Sequence, residues 1–146
     1  MNRVIYQAPN GSEIVLHDLL ELKTHVVEEF PDYWHEGHGG GIISWYDDER
    51  CTRQLLILPN DDYRVYLQYI DKRKNEKSYE TWLSLQDSEN LGEETAEYSD
   101  ELYASIGLFL PVEKAWLAIE EFCETGERTD KIEWIEDTEM PEDSQF

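Results

Sequence analysis

Apolar residues recur along this chain at two spacings, and the predicted element changes where the spacing changes. The clearest case runs from Leu108 to Trp134. Leu108, Phe109 and Leu110 read as a strand end. Pro111 follows, and its fixed φ suits the first turn of a helix. Val112, Ala115, Trp116, Ile119, Phe122 and Cys123 then recur every three or four residues, which places them on one helical face. Glu113, Glu120, Glu121 and Glu124 occupy the other face. Gly126 supplies the left-handed residue that commonly ends a helix. Lys131 to Ile135 alternates at period two, with Ile132 and Trp134 on one strand face and Lys131, Glu133 and Ile135 on the other.

The same reading applied from the start predicts a short strand over Arg3 to Tyr6. Asn10-Gly11 follows as a hairpin turn, and Glu13 to Leu16 returns. From Asp18, an N-cap residue, Leu19, Leu22, Val26 and Phe30 fall into helical register, with Leu20 and Val27 beside them. That predicts a helix over Leu19 to Glu29, ended by Pro31. A glycine-rich loop precedes a strand over Ile42 to Tyr46, and Asp47 to Arg50 makes a turn. Further strands are predicted over Gln54 to Leu58, where Pro59 stops the run, over Tyr63 to Ile70 and over Tyr79 to Leu85. Short turns between such strands favour antiparallel pairing. Asp87 to Glu101 reads as an acidic loop. Tyr103 to Leu110 reads as a strand with Gly107 at a bulge.

Each predicted helix has one apolar stripe to bury, so both are expected to pack on a sheet. The expected fold class is α+β: a single antiparallel β-sheet meander with two helices packed on one face. The 146 residues suffice for one domain with a sizeable core. An acidic, flexible tail is expected from about residue 137, where Pro141 follows a run of acids.

Charge changes the picture more than composition does. The chain carries 34 acids and 12 bases, a formal net charge of −22. Residues 1–86 hold 15 acids and 9 bases, net −6, whereas residues 87–146 hold 19 acids and 3 bases, net −16. Phosphate would be repelled by such a field, so direct binding to nucleic acid or to an anionic membrane is not expected. A basic partner would be attracted. No stretch shows the pattern of a leader or a transmembrane segment, so the expected location is cytoplasmic.

Candidate chemistry is sparse. His35-Glu36-Gly37-His38 brings two imidazoles close in sequence, but among glycines and without the helical spacing of zinc proteases. Gly39-Gly40-Gly41 precedes a strand rather than a helix and lacks the Lys-Ser/Thr ending of a phosphate-binding loop. Cys51 and Cys123 form no metal or redox spacing, and Cys123 falls on the apolar helix face. No serine lies in a nucleophile elbow. Neither an enzymatic activity nor a metal or other cofactor is expected.

The order of motifs carries a family resemblance. Gly39-Gly40-Gly41 leads into Ile42-Ile43-Ser44-Trp45, and Leu58-Pro59-Asn60 follows. The chain closes with Leu110-Pro111, Ala115-Trp116, Glu121-Phe122, Thr125-Gly126-Glu127-Arg128 and Ile132-Glu133-Trp134. This resembles the first-numbered immunity-protein (Imm) family of bacterial polymorphic toxin systems, most clearly over Ser105 to Trp134. The resemblance implies a small cytoplasmic α+β immunity protein acting in interbacterial competition. Its partner would be a cognate toxin domain with a basic surface, such as a nucleic-acid-targeting deaminase or nuclease. An acidic inhibitor could fill the substrate groove of such a toxin without chemistry of its own.

Trp116, Phe122 and Trp134 belong to the resembling motifs and are expected in the core. Contacts with the toxin are expected from Glu93, Glu94, Glu97, Asp100 and Glu101 in the acidic loop. A second expected set is Trp45, Tyr46, Asp47 and Asp48, where aromatic anchors adjoin charge. The alternative is a general acidic decoy that mimics nucleic acid and binds many basic proteins.

Overall fold

The computed structural model describes residues 2–36, 40–74, 77, 79–92, 94–99 and 102–141. Its centre is a run of four antiparallel strands: β3 (Gly41–Asp47), β4 (Arg50–Asn60), β5 (Arg64–Asp71) and β6 (Glu80–Leu85). On one side β1 (Asn2–Gln7) pairs with β3, and β2 (Glu13–Val15) pairs with β1 to form one edge. On the other side β10 (Glu133–Glu136) pairs with β6 and forms the opposite edge. The order is β10-β6-β5-β4-β3-β1-β2, with the two-residue β9 (Phe109–Leu110) added to β5. A separate hairpin joins β7 (Thr95–Ser99) to β8 (Leu102–Ser105). The fold is α+β and antiparallel, but it is not one meander. A four-strand meander is extended at both edges by chain segments from the two ends of the sequence, and a second small sheet is added.

Helix α1 (Leu19–Lys23) starts as its sequence dictates, with Asp18 Oδ1 accepting from the Leu20 amide at 2.9 Å. The predicted helix to Glu29 then changes character. Thr24–Glu28 is π-helical, and the Glu29 amide bonds back to the Thr24 carbonyl at 2.8 Å. Leu22 and Val26 are buried, as the predicted register requires, while Leu20 is 69% exposed. Asp32–Glu36 is a 3-10 turn rather than open loop. Helix α2 (Val112–Thr125) follows Pro111 and ends at Gly126 with φ +75°. Ala115, Trp116, Ala118, Ile119 and Phe122 are its buried residues.

Apolar side chains from both helices join Tyr6, Ile43, Trp45, Leu55, Ile57, Val65, Leu67 and Tyr69 of the strands in one cluster. The alternate residues of the same strands build a second cluster. Tyr66 and Leu83 meet Ala96 of β7, Ala104 of β8, Leu108, Phe109 and Met140 there. One strand, β5, therefore feeds two cores through its period-two alternation. Met140 is buried, and Asp137–Glu139 forms a 3-10 turn before it, so packing continues past residue 137.

Two further sequence readings are corrected. Pro59 does not stop its strand: β4 continues to Asn60, and Pro59 pairs with Val65. The last β3 pairing is Gly41 with Ile57, so Pro59 sits in an edge-like position, where a missing N–H is tolerated. Tyr103 to Leu110 is not one strand, because Ile106–Leu108 turns as a 3-10 helix between β8 and β9. Gly107 lies in that turn. A Cβ there would come within 2.1 Å of the Asp87 carbonyl oxygen, so close backbone approach, not a bulge, requires glycine. Ser84 ties the turn to the sheet. Its buried hydroxyl accepts from the Leu67 amide at 2.9 Å and donates to the Leu108 carbonyl at 2.7 Å.

Candidate interaction surfaces

The strand end at Trp45 to Asp48 divides by face. Trp45 points into the helix-side core and is 6% exposed. Its Nε1 donates to Asp47 Oδ1 at 3.2 Å, and Asp47 Oδ2 accepts from Thr52 at 2.7 Å and from Arg53 at 3.4 Å. The hydrogen bond from Thr52 is the largest cause holding the Asp47 carboxyl below its ordinary pKa, with help from Trp45 and Arg53. Trp45 and Asp47 are thus engaged internally. Tyr46 points to the other face, where the Arg3 guanidinium lies 4.7 Å from its ring centre. Asp48 sits at φ +58° in the tight turn between β3 and β4 and is exposed.

Beside this strand end, arginines lock the carboxyl end of α2 to the sheet. Arg53, 5% exposed, pairs with Glu127 and lies 5.3 Å over the Trp45 ring. Arg73 bonds Asp71 through Nε and Nη2 at 3.0 and 2.8 Å, and reaches Glu127 at 3.0 Å. Burial alone would raise the Asp71 pKa; the hydrogen bonds and charge of Arg73 overcome it and leave the carboxyl below its ordinary value. Arg128 covers Trp82, with Cζ 3.8 Å from the ring centre. Gly126 is required at the junction: a Cβ would lie 2.7 Å from the Trp45 ring and 2.9 Å from Arg53 Cζ. Tyr69, whose hydroxyl donates to the Gly126 carbonyl at 3.3 Å, has its pKa pushed up to about 12, chiefly by burial.

The acidic stretch is a strand in part. Glu97 is an exposed residue of β7, between buried Ala96 and half-buried Tyr98, and Glu94 precedes the strand and is exposed. Glu93, Asp100 and Glu101 lie outside the described residues. The alternation Ala96-Glu97-Tyr98 is a strand signal that the run of acids obscured. Asn60, at the far end of β4, donates through its side chain to the Glu97 carbonyl at 2.8 Å. Asp47 pairs with Arg50 at the near end. Ten residues of strand separate these points, about 30 Å. Glu97 and the Trp45–Asp48 set therefore sit at opposite ends of the sheet, and the fold does not bring them together.

His35 faces both oxygens of Asp61, at 2.8 and 3.0 Å, and the hydrogen bond to Asp61 raises its pKa. His38 lies outside the described residues. Among the described residues no group of three or more His, Cys, Asp or Glu could hold a metal ion. Cys123 is half-buried, and burial pushes its thiol pKa up to about 12. Among the described residues, no helix is long and apolar enough to cross a membrane.

Sequence reasoning missed a cleft of about 280 Å³ between the β1–β2 hairpin and the first helix. Tyr6, Ile14 and Leu16 line its sheet side, and Asp18, Glu21 and His25 line its helix side. His25 stacks on Tyr33 with ring centres 3.9 Å apart. Its Nδ1 faces Glu29, and its Nε2 is 3.6 Å from Glu21. The Tyr33 hydroxyl meets the Tyr6 hydroxyl at 2.9 Å. Burial is the main reason the Tyr6 hydroxyl is far less acidic than an ordinary tyrosine. The helical register of Leu22 and His25 was visible in the sequence, but the approach of Tyr33 and the hairpin was not.

Comparison with family models, with curated proteins and with solved structures found no match for this chain.

Proposed function

We propose that this chain is an immunity protein that binds a cognate bacterial toxin domain and occludes its basic substrate groove. The observation that carries this reading is how the charges are arranged. The chain's few bases are largely engaged within the fold. Arg53 and Arg73 are held by Asp47, Asp71 and Glu127, and Lys74 by Glu80. Arg3, Arg64, Lys72 and Arg128 lie over Tyr46, Phe30, Tyr79 and Trp82. Carboxylates such as Glu94, Glu113, Glu124, Asp130 and Glu133 are exposed on the outside. A field of that sign accelerates encounter with a basic groove and rejects acidic partners. The order of motifs noted in the sequence supports the same reading.

The test is co-expression with the toxin domain encoded next to this gene. Growth should be rescued, and the two proteins should co-purify at one-to-one stoichiometry. No rescue and no complex would falsify the proposal. A general decoy of basic proteins would instead bind several unrelated partners and release all of them at raised salt, because exposed charge pairs are screened within about 10 Å at 0.1 M salt. A dedicated inhibitor keeps a packed apolar contact under those conditions.

A further inference from the structure

The two edges of the main sheet are finished differently. β10 carries Glu133 and Glu136 along its four residues, and charge on an edge strand discourages further pairing. β2 carries a single charge, Glu13, and beside it Ile14 and Val15, which are 48% and 46% exposed on opposite faces. Among the described residues no strand pairs with the outer side of β2. The hydrogen bonds from the Leu16 amide to the Val4 carbonyl and from the Ala8 amide to the Ser12 carbonyl, both 2.9 Å, fix the ladder. In that ladder Ile14 bonds toward β1, and the N–H and C=O groups of Glu13 and Val15 point away from it. Those are the groups an added strand would use.

Two features adjoin this edge. The cleft opens beside Ile14, and the carboxylates of Asp18 and Glu21 lie on its helix side. The helix wall includes His25 of the π-helical segment, a geometry frequent at functional sites. The edge therefore offers backbone pairing, apolar contact and a pocket of acidic character large enough for one side chain.

We infer that β2 takes up an extended segment of the partner as an added strand, with a basic side chain of that segment entering the cleft toward Asp18 and Glu21. The occupant is basic because the cleft's outer carboxylates and the net charge of −22 both favour a cation. A second copy of this chain is disfavoured on the same ground. The inference rests on the immunity reading for the partner's identity, but not for its chemistry.

The experiment has two arms, both on the full chain. In the first, isotopically labelled protein is titrated with the capped peptide Thr-Val-Arg-Val-Thr and with its counterpart bearing glutamate at the centre. The arginine peptide should shift the Glu13 and Val15 amides and the Tyr33 ring, and bind about ten-fold more tightly than the glutamate peptide. Glu21→Arg should erase that preference. Equal affinities, or shifts confined to other surfaces, overturn the inference. In the second arm, Val15→Pro and Glu21→Arg are tested in the growth-rescue assay. Loss of rescue by soluble variants with the parent's unfolding midpoint supports β2 as the docking edge. Rescue equal to the parent's removes β2 and leaves the immunity reading standing. If the parent itself fails to rescue, that reading falls, and the peptide arm alone decides the edge.

Discussion

The carboxyl end of α2 and the β2 edge use similar residue types for opposite ends. At the first, arginines, carboxylates and aromatics are interlocked. Arg53 is buried against Trp45, Arg73 is shared by Asp71 and Glu127, and Gly126 leaves no room for even a methyl group. At the second, His25, Tyr33, Glu21 and Tyr6 also gather, but around a cleft with Ile14 and Val15 exposed on the adjoining strand. The difference lies in what covers each group. Helix α2 ends over Arg53 and closes it off. A cleft separates the first helix from the β1–β2 hairpin, and Ile14 and Val15 stay exposed there. Polar and aromatic residues stabilise a junction when neighbours exclude water. The same residues make a recognition surface when neighbours do not.

This contrast can be broken at several points. The largest loss of stability is expected from Trp116→Ala, about 3–5 kcal/mol, because the ring is buried between the helices and the sheet. Chemical unfolding should show it, and a loss near zero would mean that α2 is not packed on the core. Gly126→Ala comes next. A left-handed alanine costs about 1–2 kcal/mol, and forcing its Cβ against Trp45 adds about 1–3 kcal/mol. A substitution of similar kind near β2, at exposed Gly11 with φ +89° and nothing within 4 Å, should cost only the backbone part.

Acid should sharpen the contrast further. The folded Asp71 carboxyl has its pKa lowered, so its contribution is present above the unfolded value and is lost as pH falls through the folded one. Stability measured from about pH 5 down to about pH 2 should fall more steeply for the parent than for Asp71→Asn. Taking the difference between the two proteins removes the relief of repulsion that both gain when excess carboxylates are protonated. The smallest effect on stability is expected at the open edge. Ile14→Ser and Leu20→Ser should each stay within about 0.5 kcal/mol of the parent, as exposed substitutions do. Under the proposed docking at β2, Ile14→Ser should weaken growth rescue in the co-expression assay, whereas Gly126→Ala, measured well below its unfolding temperature, should not.

Helix α2, its proline start and its glycine stop are local signals; the structure keeps them, with Pro111 as the residue just before the helix and Gly126 just after it. The Asp18 cap, the Asn10-Gly11 turn and the strands of the central meander were legible for the same reason. The β7 strand was not, because its acids outweighed a short alternation. The roles of Trp45 and Asp47 were not legible either. An aromatic beside a carboxylate at a strand end reads alike whether the pair faces solvent or, as here, an arginine from the next strand. The cleft at β2 depends on Tyr33, which reaches Tyr6 from 27 residues away.

The sequence alone determined the periods, the turns, the excess of negative charge and its concentration in the second half of the chain. These follow from side-chain spacing and composition, which need no partner. Only the tertiary structure decided which face each element covers. It buried Tyr66 under the second hairpin, closed Arg53 beneath the end of α2 and, among the described residues, left β2 without an outer neighbour. Coverage is a contact between segments far apart in the chain, and local spacing carries no information about which distant segment arrives.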